Sequence, residues 1–187
     1  KELQNQITSE KNTGFVLPRY RDYCFSNIPA TIFSLLGVHQ KHDPLKELWK
    51  NKIRHENRNK IVLILIDGFG YNQWLAQNKK FEFLDNFSRH GTVAPVTTVF
   101  PSTTSATLTT IHSGTTPKQH ALIEWWLYLR EIDKIIVSLP FSAINEFGRD
   151  TLLKHGVSPE VLFSGRTIYK KLKKIKKFVR KKAKKRF

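Results

Sequence analysis

Methionine is absent from the 187 residues and the chain opens on Lys1, so its genetic start, with any signal peptide, is expected to lie outside this sequence. A single cysteine, Cys24, excludes an internal disulfide and suits a reducing compartment such as the cytoplasm. A lone cysteine of this kind is more often a small buried hydrophobe than a nucleophile. No apolar run approaches the roughly 18 to 20 residues needed to cross a bilayer, which excludes a transmembrane helix. No internal repeat is visible. Acidic residues are missing from 170–187, a stretch that holds 12 of the 32 Lys and Arg and none of the 15 Asp and Glu. The remainder carries 20 basic against 15 acidic residues, a net +5 out of the total of +17. The positive excess therefore belongs to the tail. The chain as a whole is an ordinary 40% hydrophobic, and its 187 residues read as one domain with a real core.

Residues 1–14 are polar and without periodicity, and are expected to form a flexible arm. Residues 15–165 carry the periodic segments of the main domain, and 166–187 read as a basic amphipathic helix and tail. Within the domain, Asn27 is a candidate N-cap, with Pro29 in the first turn and Gly37 as the stop of a short helix. His39 and His42 lie in a polar linker, where surface histidines are commoner than metal ligands. Leu45 to Asn59 has the spacing of an exposed helix. Tyr71 to His90 supports one or two helices with Trp74, Leu75, Phe81, Phe83, Leu84 and Phe87 on the inner side. Further strands are expected from Gly91 to Phe100, around Ile123 to Leu129 and at Lys134 to Leu139. A loop-rich region follows over 141–165, with a short helix near Pro159 to Phe163.

The domain is organised around Ile61 to Gly70, IVLILIDGFG. Six apolar residues bounded by glycine predict a strand buried on both faces, as in a parallel sheet. Strand, helix, strand order makes the fold class α/β. Asp67 ends the strand, where ligands of open α/β sheets gather, and is a candidate for a metal or a phosphate. The alternative is an Asp that caps the next helix or turn.

The hydroxyl-rich stretch TVFPSTTSATLTTIHSGTTPKQH, 98–120, is the second informative segment. Pro101, Ser102 and Thr103 form a helix start that puts Thr104 in the first turn. The positive end of the helix dipole there favours an alkoxide and draws a phosphate. With a divalent cation on Asp67 the hydroxyl would become a nucleophile near neutral pH. A Ser/Thr-rich helix packed on the sheet through small residues is the competing reading, and the helix alone leaves the two even.

Together, VLILIDGFG and VFPSTTSATLTTIHSGTTPKQH, with LPRYRDYCFSNIPATIFSLLGV as a lead-in, resemble the alkaline phosphatase superfamily. Within it they are similar to the type I phosphodiesterase/nucleotide pyrophosphatase family and its bacterial relatives, over roughly 15–170. The resemblance implies an α/β/α sandwich with a mostly parallel central sheet, apparently truncated to its N-terminal half. It also implies a site with two divalent metal ions, usually zinc, in which Asp67 and Thr104 share one ion. Thr104, ten residues before Gly114, would be the nucleophile, and a phospho-threonine the intermediate. The implied substrate is a small phosphate ester or nucleotide. The family's later Asp-x-x-x-His, Asp-His and His ligands are not in this sequence, so the chain alone is expected to lack full activity. Asp150 with His155 has the wrong spacing. Ala121 stands where the family usually has Gly, and Glu124, Trp125 and Trp126 occupy the region of its phosphate-binding Asn.

From Ser164 the sequence SGRTIYKKLKKIKKFVRKKAKKRF spaces Ile168, Leu172, Ile175, Val179 and Ala183 at helical intervals beneath a basic face. Up to 176 this suits a helix packed on the domain with its lysines outward. A different class of function also follows from it: a non-catalytic protein whose basic helix holds RNA or an anionic membrane.

Overall fold

The computed structural model describes residues 16–38, 40–46 and 60–175. The expected arm at 1–14, His39, nearly all of the helix expected from Leu45 to Asn59, and the tail from 176 lie outside them. The chain divides into two compact units, Lys1–Thr97 and Thr98–Phe187.

In the first unit, a single 3₁₀ turn, Phe25–Asn27, leads into helix α1, Ile28–Leu35, with Pro29 in its first turn and Gly37 at φ 71° beyond its end. Asn27 precedes the helix as expected, yet its side chain does not cap it. Its Oδ1 accepts from the Cys24 N–H at 2.9 Å, and its Nδ2 donates to the carbonyls of Tyr20 and Asp43 at 2.8 and 3.0 Å. One buried amide thus satisfies three loop groups, a better use of a buried polar side chain than a cap. Tyr23, Cys24, Ala30, Phe33 and Leu45 form the buried part. Thr97 closes it through a parallel bridge to Cys24: Phe25 N–H donates to Thr97 O, and Thr97 N–H to Tyr23 O, both at 2.8 Å.

Residues 61–66 form no ladder among the described residues. Val62 is 84% and Ile64 77% exposed. A strand of this composition is stable only between two other strands and under helices on both faces. Among the described residues, parallel pairing is limited to the Cys24–Thr97 bridge. The expected burial of 61–66 is therefore not met. Helices α2, Tyr71–Gln77, and α3, Glu82–His90, follow as the spacing predicts, with no buried residue in either. Their expected inner side is instead a surface cluster in which Phe69 and Phe87 meet Trp74 edge-on at 6.4 Å and Phe83 meets Phe87 at 5.1 Å.

The second unit opens with α4, Thr104–Ser113, and the four-residue α5, Pro117–His120. An antiparallel sheet follows in the order β1, Trp126–Leu129, β2, Lys134–Val137, and β3, Ser142–Ala143. The strands expected near 123–129 and 134–139 exist, but they pair antiparallel. A loop of four residues joins them, too short for the crossover that parallel strands need. Asp133 turns that loop at φ 50°, a conformation Asp tolerates. The mostly parallel sheet expected of the α/β class is thus absent among the described residues, whose strands form a mixed structure with helices. Leu129, Ile136, Phe141, Ala143, Leu152 and Val157 make the core of this unit. Helix α6, Thr151–Lys154, and a 3₁₀ turn, Pro159–Val161, occupy the loop-rich region. Helix α7 spans 168–175, with Ile168 buried.

Candidate active site

Asp67 ends the exposed segment 61–66. Its Oδ1 accepts from the Gly68 N–H at 3.0 Å, and Gly68 takes the left-handed conformation at φ 70°. The cap of α2 is Gly70, whose N–H reaches Gln73 Oε1. Asp67 is thus a turn residue and not the cap of the next helix, and it is exposed.

Thr104 is the first residue of α4, and Gly114, in the left-handed conformation at φ 68°, is its C-cap. The ten-residue spacing between them is the length of this helix. The neighbouring hydroxyls have structural partners. Thr103 Oγ1 accepts from the Ala106 N–H at 3.3 Å as the N-cap and donates to Ile123 O at 2.7 Å. Ser105 is buried, with its Oγ 2.9 Å from Ser138 Oγ; Ser138 Oγ also reaches Glu124 O at 3.0 Å. Thr104 is half-buried. A Thr hydroxyl at the start of a ten-residue helix lies where the backbone dipole carries about half a positive charge. Asp67 belongs to the first unit and Thr104 to the second.

A pair that spacing did not disclose lies behind this helix. His120 and Thr110 are both buried, with Nε2 and Oγ1 3.1 Å apart. His120 Nδ1 accepts from the Leu122 N–H at 3.1 Å. That bond places the ring proton of the neutral imidazole on Nε2, which donates to Thr110. Burial pushes the His120 pKa down, against the opposing effect of hydrogen bonding to the Ala106 backbone. The next residue, Ala121, sits at φ 60°. A side chain in that conformation is strained, which gives a physical reason for glycine at this place.

Asp150 and His155 do not come together as ligands. Asp150 precedes α6 at φ 59°, and His155 Nε2 pairs with Glu146 Oε1. His42 is exposed. Among the described residues no group of three or more His, Cys, Asp or Glu is placed to hold a metal ion.

Neither the curated proteins nor the solved structures give a match to this chain. A family does: residues 61–138 match the type I phosphodiesterase/nucleotide pyrophosphatase family, and Asp67, Thr104, Gly114 and His120 all fall within the matched stretch.

Proposed function

We propose that this chain is part of a metal-dependent phosphoric ester hydrolase of the phosphodiesterase/nucleotide pyrophosphatase kind, acting on a small phosphate ester or nucleotide. The observation that carries it is the family match over 61–138, which takes in both the Asp at the end of the apolar segment and the Thr at the start of α4. In this reading the completed protein has an α/β/α sandwich, with 61–66 as a strand of a mostly parallel sheet. Asp67 and Thr104 are two of the ligands for a pair of divalent ions, zinc by family likeness.

Two oxygens do not complete such a site, since zinc takes about four ligands. No step is therefore written through a metal. What this chain supplies is the nucleophile. Thr104 Oγ1 forms a bond to phosphorus while the bond from phosphorus to the leaving oxygen breaks; water then cleaves the phospho-threonine and restores the hydroxyl.

The test is made on a form of the polypeptide that includes the remaining ligands and turns over an aryl phosphodiester. Thr104→Ala should keep the fold and lose roughly a thousandfold or more in kcat, and Thr104→Ser should keep part of the rate. Mass spectrometry of a quenched reaction should find the phosphate on Thr104. Thr103→Ala and Ser105→Ala should cost stability more than rate. If Thr103→Ala abolished turnover while Thr104→Ala left it intact, the nucleophile would be misassigned.

A further inference from the structure

Lys171 departs from the outward-facing lysines of α7. Its Nζ donates to Ser113 O at 2.8 Å, and burial holds its pKa below the ordinary lysine value. Lys171 lines a cavity of about 360 Å³ within the second unit, together with Arg166, Thr115 and the apolar residues Leu162 and Phe163. One acid, Glu160, also lines it, and the Ser158 hydroxyl donates to that carboxylate. Among the described residues, no carboxylate lies within ion-pair distance of Lys171 or Arg166.

Two cations against one acid leave the cavity positive. A partly dehydrated ammonium without a counter-ion is costly, and an anion entering beside it offsets that cost. Lysine supplies a point charge and arginine a fork of donors, the pair of geometries that suits a phosphate with several acceptor oxygens. The volume falls in the range of about 300 to 1,000 Å³ typical of small-molecule sites, enough for a phosphate with a small organic group against Leu162 and Phe163.

We propose that this cavity is a binding site for a phosphate group, free or as a small phosphomonoester, with Lys171 and Arg166 as its cations. Thr104 is not among its lining residues, so the site does not depend on the catalytic reading above. The experiment is calorimetric titration of the full chain, at constant ionic strength, with inorganic phosphate and with phenylphosphonate, which cannot be hydrolysed as an ester. A saturable one-to-one component is expected, weakened roughly tenfold by Lys171→Met and by Arg166→Gln, the loss of one charge-assisted hydrogen bond each. Arg166 is exposed, so its variant keeps the test alive should Lys171→Met misfold. Lys173→Gln and Lys174→Gln, exposed on the same helix, should change the affinity less than twofold or so. Tighter phenylphosphonate would identify an ester as the ligand, and equal affinities the free ion. The proposal is overturned by the absence of saturable binding, by equal weakening in the Lys173 and Lys174 variants, or by loss of binding in Thr104→Ala.

Discussion

A hydroxyl is read differently once its neighbours are seen. Four of them run from Ser102 to Ser105, and sequence spacing selects Thr104 only through a likeness to other proteins. In the structure Thr103 is tied to Ala106 and Ile123, and Ser105 to Ser138, so substitutions at these two hydroxyls act on the packing of α4. Ala121 has a similar history. Its difference from the family's glycine is visible in the sequence, but its left-handed φ of 60° is what gives the difference an energy. Ala121→Gly should raise stability by about 1 kcal/mol, the usual relief of an L-residue held there, measured as a higher urea midpoint; no gain would mean that the loop is not strained. His120 makes a prediction about pH. The folded state holds it neutral, with its pKa below the ordinary value because of burial. The unfolded chain therefore takes up the proton first, near its usual value of about 6.5. This contribution to stability is complete above that value and is lost as pH falls through the lower folded pKa. Urea midpoints should drop between pH 7.5 and 5.5, and His120→Gln should flatten that drop. An equal drop in the variant would assign it to other groups.

Elements were legible where local signals suffice. Gly37 follows the end of α1 as expected, Pro29 sits in a first turn, and α2 and α3 divide the stretch from Tyr71 to His90. Layering was not legible, because burial depends on what the rest of the chain provides. IVLILI has the composition of a central strand, yet among the described residues no strand pairs with it and Val62 to Ile66 are exposed. Phe83 and Phe87 of α3 are likewise exposed, whereas Tyr71 and Trp74 of α2 are half-buried. The direction of β1 and β2 could have been read from the sequence, because the strands expected there leave only four residues between them, a connection that makes them antiparallel. Two substitutions compare these settings. Ile136, fully buried in β2, should cost about 2 to 5 kcal/mol on truncation to Ala. Ile64→Lys, at 77% exposure, should change thermal stability by no more than about 0.5 kcal/mol and should reduce self-association seen by light scattering, since exposed apolar β-segments pair with one another. Unfolding by Ile64→Lys would mean that 61–66 is buried in this chain.

At the scale of the whole molecule, the +17 charge and the family match have separate locations. Residues 61–138 carry the family pattern, whereas the positive excess lies in 170–187. Where α7 is described, Ile168 is buried and Lys170, Lys173 and Lys174 point outward, as a helix packed on its unit requires. Lys171 is the exception, drawn in toward Ser113. A polyanion would therefore be held by the outer lysines and the residues beyond them, without any need for Thr104. Residues 177–187 contain seven of the basic residues, so their removal lowers the net charge from +17 to +10. If the alternative reading of the tail as a polyanion binder holds, the full chain binds single-stranded RNA and anionic vesicles with an affinity that falls steeply with salt. Each neutralised phosphate of a single strand contributes about 0.7 to the slope of log K against log salt. Removing the seven charges should flatten the RNA slope by up to about 5. An affinity that ignored both the deletion and the salt would dispose of the tail as a polyanion binder and leave the chemistry at Thr104 as the chain's remaining proposed role.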